Sequence, residues 1–122
     1  MKSKPMMIED LQQLCRQLPG VTESIKWEHD LCFCVADKMF LVVGLDKAPV
    51  SASFKVAAEE FEEMSSRPGF SPAPYLARYK WVALDDIGRL APQEWEQRVR
   101  ASYALVAGKL PKKVRQGLGL EA

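Results

Sequence analysis

The sequence predicts an α+β domain in which helices pack on a mainly antiparallel sheet. Between residues 22 and 56, short runs with strand character follow one another through tight turns, which favours antiparallel pairing. Two further segments, one early and one late, carry apolar residues at helical spacing and need a common surface to cover. The expected order is α-β-β-β-β-α-β-α, with five strands.

The first half of the chain is predicted to form one helix and a four-stranded meander. The helix covers residues 5–18, where the apolar positions have helical spacing and Pro19-Gly20 stops the pattern. The third strand is apolar on both faces, so we expect it to be central and covered on both sides. In the fourth strand, small or polar residues alternate with apolar ones that face inward. The four strands are expected at residues 22–27, 31–36, 39–45 and 50–56.

The second half is predicted to contain two helices and the fifth strand. A helix at residues 57–66 is anchored by Phe61 and Met64, and four glutamates crowd its exposed side. Residues 67–78 include three prolines, which predicts a long irregular loop of the kind that often carries function. The strand follows at residues 81–84, and Pro92 opens the last helix. Its expected buried stripe is Trp95, Val99, Ser102, Tyr103 and Val106.

Length and composition indicate one domain across residues 1–122, with a core at about 5–113 and a basic tail at 109–122. The net charge is only +1, which is a weak basis for binding nucleic acid. No apolar run is long enough to cross a bilayer, and the first ten residues do not resemble a secretory signal. Three cysteines without an export signal predict reduced thiols and a cytoplasmic location.

Candidate catalytic and metal-binding residues are few. His29, Cys32 and Cys34 form a cluster of possible metal ligands, but a closed zinc site needs four ligands and only Cys15 remains. The alternative, which we prefer, makes both strand cysteines small core residues and His29 a turn residue. Neither a nucleophile motif nor a phosphate-binding glycine loop is present. We therefore expect no enzyme activity, no cofactor, no metal and no small-molecule substrate, and the oligomeric state stays open.

The basic residues are segregated along the chain. Residues 97–116 hold six of them and no acidic residue. Lys38 and Lys47 fall in hairpin turns, and Arg78 and Lys80 flank Tyr79. Cations interleaved with aromatic rings can contact phosphates and stack on bases. Two structural explanations compete with this one, because cations also complement helix C-termini and turn lysines discourage aggregation.

Several short segments, in this order and spacing, resemble the MmcQ/YjbR-like family. The resemblance extends from about residue 7 to residue 113, although each motif is short. One departure is Trp27-Glu28-His29-Asp30, where many relatives place a phenylalanine-glycine turn. The matching segments are Leu18-Pro19-Gly20, Lys38-Met39-Phe40, Phe54-Lys55, the strand from Tyr79 to Leu84, and Ser102-Tyr103-x-Leu105-Val106.

The resemblance implies a frataxin-like, CyaY-like fold and a DNA-binding role in which two hairpin wings flank a sheet surface. We accordingly expect weak, sequence-tolerant binding to duplex DNA, with a flexible basic arm at the C-terminal end. The alternative is a small cytoplasmic protein-interaction or regulatory module with neither nucleic-acid binding nor catalysis. The candidate DNA contacts are Lys38, Lys47, Lys55, Arg78, Lys80, Lys112, Lys113 and Arg115.

Overall fold

A computed structural model describes residues 6–46 and 48–120. Four helices and six strands lie in these residues, with short 3₁₀ turns at Ala77–Tyr79 and Ile87–Arg89. The helices are α1 (Ile8–Arg16), α2 (Ala58–Ser65), α3 (Pro92–Ala107) and α4 (Lys112–Gly117). The strands are β1 (Val21–Lys26), β2 (Asp30–Val35), β3 (Lys38–Gly44), β4 (Ser51–Lys55), β5 (Phe70–Pro72) and β6 (Trp81–Leu84).

The strands form one sheet in the order β1-β2-β3-β4-β6-β5, and every pairing is antiparallel. The predicted α+β class and antiparallel sheet are therefore confirmed, but the sheet has six strands and the prediction of five was wrong. The additional strand, β5, lies inside the proline-rich segment expected to be a loop. Pro72 fits there because β5 is an edge strand, where a residue without an N–H group is tolerated.

A second correction concerns the C-terminal region, where a flexible basic arm was expected. After α3 the chain forms α4, with Pro111 at its N-cap. Beyond α4, Leu118 and Leu120 pack against the hydrophobic core. Leu118 rests on the backbone of Gly20, where φ is +72° and a Cβ would lie 2.3 Å from the leucine Cδ2. The chain from α4 to Leu120 is thus folded back onto the turn at Gly20 that follows α1.

One face of the sheet carries the main core. Helix α3 packs on β2, β3 and β4, and α1 packs on α3 and β1. Helix α2 contacts β5 and β6, at the opposite end of the strand order from β1. The alternation predicted for the fourth strand is present, since Ala52 and Phe54 are buried and face this core. Trp95 is fully buried, and its ring meets Phe54 edge-on with the centroids 5.6 Å apart. The indole Nε1 donates a hydrogen bond to the Ile87 carbonyl at 2.7 Å.

A β-bulge interrupts β3 at Phe40. Phe33 pairs with Leu41 and Cys34 pairs with Met39, so Phe40 has no partner on β2. Ser102 of α3 lies between Phe40 and β4, beyond the last direct β3–β4 pair, Leu41 with Phe54. Its hydroxyl donates to the Phe40 carbonyl at 2.5 Å and accepts from the Lys55 N–H at 3.0 Å. The fully buried serine therefore holds β3 and β4 together where direct pairing stops.

Tyr103, the next residue, ties α3 to the start of the sheet. Its hydroxyl donates to the Pro19 carbonyl at 2.5 Å, and its ring meets that of Phe40 edge-on with the centroids 5.4 Å apart. Three of the family-like segments of the sequence therefore meet here: Leu18-Pro19-Gly20, Lys38-Met39-Phe40 and Ser102-Tyr103. These motif residues stabilise the packing of α3 on the sheet.

The opposite face of the sheet, which we call the open face, is floored by small side chains. One row of paired residues crosses all six strands of this face. In spatial order the row is Ser24, Cys32, Val42, Ser53, Ala83 and Ser71. Small side chains leave room above the strands, and one of the surface cavities described below lies over Val42 and Ser53 of this row.

Candidate nucleic-acid interface

Four lysines from distant parts of the chain converge at one end of the sheet. Lys38 begins β3, Lys55 ends β4, Lys80 precedes β6, and Lys109 follows α3. We call these four residues the lysine cluster. Three of them surround a surface cavity of about 380 Å³. The complete lining of this cavity is Lys38, Met39, Lys55, Tyr79, Trp81, Val106, Lys109 and Leu110.

Electrostatic repulsion within the cluster is visible at Lys55. Burial lowers the pKa of this ammonium group, and the positive charges of Lys109 and Lys80 lower it further. Lys55 Nζ donates a hydrogen bond to the Tyr79 carbonyl, which fixes the direction of its side chain. The positive charges of the cluster therefore repel one another, and an anion bound there would relieve this repulsion.

Arg78 and Tyr79 form a cationic and aromatic rim beside the cluster. The guanidinium carbon of Arg78 lies 4.8 Å from the centroid of the Tyr79 ring, and its Nη2 donates to the Tyr79 hydroxyl at 2.8 Å. Tyr79 is about half exposed. On the other side, Lys80 Nζ lies 5.1 Å from the centroid of the Phe61 ring. Helix α2 therefore borders the cluster.

Elsewhere in the described residues, most arginines are neutralised by carboxylates. The pairs lie between 2.5 and 3.3 Å. Among residues 6–46 and 48–120, no carboxylate oxygen lies within 4.0 Å of any ammonium group of the lysine cluster. The pairs are Arg16 with Glu23, Arg67 with Glu63 and Glu94, Arg89 with Asp85, Arg98 with Glu60, and Arg100 with Glu96.

The structure brings together three of the eight residues selected from the sequence, namely Lys38, Lys55 and Lys80, and places Arg78 next to them. Lys109 belongs to the same group but was not selected as a contact. The sequence feature that could have identified Lys109 is its place in the basic segment 97–116, which contains no acidic residue. Its position beside Lys55 could not be predicted from the sequence, because the two residues meet only when α3 packs on β4.

The remaining selected residues have different surroundings. Lys112 and Lys113 lie exposed in the first turn of α4. Arg115 donates to the Leu110 carbonyl at 2.7 Å and to the Gly108 carbonyl at 3.3 Å, so it helps to satisfy the end of α3. Lys47 lies outside the described residues.

The possible metal cluster of the sequence is dispersed. Cys32 and Cys34 are buried on β2, as the preferred interpretation expected, whereas His29 is exposed and its Nε2 lies 3.9 Å from an Asp46 oxygen. Burial raises the pKa of both thiols, and the charge of Lys26 partly opposes this shift. Within the described part of the chain, no three His, Cys, Asp or Glu residues are grouped so that they could hold a metal ion.

The fold and the buried contacts around Ser102 and Tyr103 are those of an α+β protein in which helices pack on an antiparallel sheet. A family model described as YjbR matches residues 16–105, and the chain belongs to this family. This confirms the resemblance seen in the sequence. No curated protein matches the chain.

Two solved structures are similar to this one. A Deinococcus radiodurans protein with a DUF419 domain is 26% identical, with a TM-score of 0.85 over 99% of this chain and 94% of its own. A Pseudomonas syringae protein is 18% identical, with a TM-score of 0.67 over 82% of this chain and 98% of its own, which shows a shared fold. In the described segments, every helix is too short or too polar to cross a membrane.

Proposed function

We propose that the protein binds duplex DNA weakly and with little sequence preference, through the lysine cluster and Arg78. The observation that carries this proposal is the contrast in charge pairing. Most described arginines have a carboxylate partner, whereas no described carboxylate lies within 4.0 Å of the four cluster lysines, three of which line one cavity. Uncompensated lysines that converge on one surface are suited to the regularly spaced phosphates of a nucleic acid.

Phosphate contacts by lysine give affinity without reading sequence. Each ammonium group is a point charge that replaces a counterion on the DNA, and the released counterions supply the binding free energy. Lys38 follows the β2–β3 turn, so this hairpin acts as the wing that contacts the backbone. Arg78 and the exposed edge of Tyr79 add a second contact at the rim.

Charge elsewhere on the molecule limits the affinity. The net charge is only +1, so long-range attraction to DNA is small. The acidic helix α2 borders the cluster through Phe61, which confines the footprint on that side. Glu60 and Glu63 are paired with Arg98 and Arg67, which reduces the repulsion that this helix would exert on phosphates.

Fluorescence anisotropy with a labelled duplex, measured over a range of salt concentrations, tests the proposal. The combined change Lys38→Ala, Lys55→Ala and Lys109→Ala should weaken binding to all duplex sequences alike. It should also lower the slope of log affinity against log salt by about one for each phosphate contact removed. A matched control removes three positive charges elsewhere, through Lys26→Ala, Arg89→Ala and Arg100→Ala, and should leave the slope nearly unchanged.

Two outcomes would contradict the proposal. One is no binding by the unaltered protein at low salt, and the other is an equal loss of affinity in the cluster variant and in the control. The first result would favour the alternative of a protein-interaction or regulatory module that does not bind nucleic acid, and the second would show that the lysine cluster is not the binding site.

A further inference from the structure

A second cavity, of about 620 Å³, lies over the open face of the sheet. Its floor consists of small or apolar side chains from three neighbouring segments, including Val42, Ser53 and Ala73. This volume is within the range of pockets that enclose small organic ligands. Its complete lining is Trp27, Asp30, Met39, Val42, Ser53, Ala73, Pro74, Tyr75 and Leu76. We call it the aromatic cleft.

Two exposed aromatic residues contribute to the lining of this cleft. Trp27, in the turn between β1 and β2, is 63% exposed, and Tyr75, in the segment between β5 and β6, is 98% exposed. Both have a left-handed backbone, with φ of +52° and +66°. Bulky residues rarely adopt this conformation, so neither ring is placed here by simple backbone preference or by burial in the core. Rings in such positions are available to stack on a planar ligand.

The polar groups of the cleft fit a ligand that donates hydrogen bonds. Asp30 supplies a half-buried carboxylate and Ser53 a hydroxyl, and no described lysine or arginine lines the cleft. The amino and imino groups of a nucleobase donate hydrogen bonds, and its ring can stack on aromatic side chains. A phosphate, by contrast, would be repelled by Asp30.

The aromatic cleft adjoins the lysine cluster. Met39 lines both cavities. Ser53 in the cleft and Lys55 in the cluster are two residues apart on β4, so they lie about 7 Å apart on the same side of the strand. One nucleotide can bridge this distance, with its phosphate at the lysines and its base in the cleft.

We propose that the aromatic cleft binds an unpaired nucleobase, held between Trp27 and Tyr75 and hydrogen-bonded to Asp30, while the adjoining phosphate lies at the lysine cluster. This inference rests on the proposed function, because the cluster supplies the backbone contacts. It adds a preference for DNA with a single-stranded segment over a blunt duplex. Stacking tolerates different bases, and the carboxylate favours those with several N–H donors, such as guanine.

Three labelled DNAs test this inference with the full-length protein: a blunt duplex, the same duplex with a guanine-containing overhang, and the same overhang with abasic sites. The overhang should bind about tenfold more tightly than its abasic counterpart, since stacking on an aromatic side chain has a large effect per base. It should also quench tryptophan fluorescence, because Trp81 and Trp95 are buried and Trp27 is exposed.

The variants Trp27→Asn and Tyr75→Asn should remove the difference between the overhang and the abasic DNA. Asparagine is chosen because it tolerates a left-handed backbone, so the turns are preserved. Affinity for the blunt duplex should stay the same in both variants. Ile25→Asn, a change at an exposed apolar residue of β1 outside the cleft, is the matched control and should keep the preference.

The outcomes separate the two proposals. Equal affinities for the overhang and the abasic DNA, with duplex binding intact, would overturn the base-binding cleft alone. Base-dependent binding of the overhang that survives the triple lysine change would overturn the proposed role of the lysine cluster in both proposals. Tryptophan quenching by a nonspecific basic peptide that matches quenching by DNA would also overturn the cleft as a nucleobase site.

Discussion

The hydroxyl of Ser102 joins β3 and β4 beyond their last direct pair, Leu41 with Phe54. Replacing it by alanine leaves the Phe40 carbonyl and the Lys55 N–H without a partner in a buried environment. We expect Ser102→Ala to lower the free energy of unfolding by about 1–3 kcal/mol, as measured by urea denaturation. Ser65→Ala, which removes a hydroxyl bonded only within its own helix, should change it by less than about 0.5 kcal/mol. Similar values for the two variants would refute this role.

Lys55 provides a prediction about pH. Its pKa in the free protein is lowered by burial and by Lys109 and Lys80, and a bound phosphate would raise it again. The complex then holds more protons than the free components between these two pKa values. Affinity for DNA should therefore be greatest below the lowered pKa and should fall as pH rises through this window. Titrations from neutral to alkaline pH should show this fall in Lys38→Arg but much less of it in Lys55→Arg, because arginine stays charged.

At the scale of elements, the packing of α3 on β3 and β4 stabilises the core. Val99 is buried at this contact, with 1% of its surface exposed. The variant Val99→Asp places an unpaired charge there and should cost about 4 kcal/mol or more, with a large fall in the melting temperature followed by circular dichroism. Ala101→Asp, an exposed change on the same helix, should have little effect. An unchanged melting temperature for Val99→Asp would show that this packing is wrong.

Elements with a clear local pattern were predictable from the sequence. β4 alternates between apolar and polar residues, and α3 begins at Pro92 as expected. β5 and α4 were not predictable, for physical reasons. β5 has only three residues and ends at a proline, so its formation depends on pairing with β6. α4 has only six residues, and the proline before it, Pro111, is as typical of the end of one helix as of the start of the next.

The candidate site was predictable only in part, for a related reason. Lys38, Lys55 and Lys80 could be selected because they lie next to turns or family-like segments. Their convergence with Lys109 depends on contacts between residues that are far apart in the sequence. Trp27 was noticed as a departure from relatives, but its shared cleft with Tyr75 depends on the three-dimensional fold. The sequence therefore identifies which residues are charged, whereas the fold is needed to show which of these charges lie close together.

Across the whole molecule, the sheet predicts a gradient of local stability. β2, β3 and β4 each have a strand on both sides, whereas β1 and β5 are edges. Backbone amides of β3 and β4 should therefore exchange with deuterium slowest, and those of β5 should exchange fastest among the strands. Amides of α4 should be less protected than those of α3, because α4 has no fully buried residue. Mass spectrometry of peptides after exchange measures this order, and strong protection of β5 would contradict it.

The bulge at Phe40 and the serine that fills it have a consequence for the variation among related chains. A chain that lost the unpaired bulge residue would pair β2 and β3 without interruption, and the carbonyl that the α3 hydroxyl reaches would be displaced. A chain that kept the bulge but lost the hydroxyl would carry two unsatisfied backbone groups. We therefore expect the length of the β2–β3 hairpin and the residue aligned with Ser102 to covary, although Phe40 and Ser102 are 62 residues apart in the sequence.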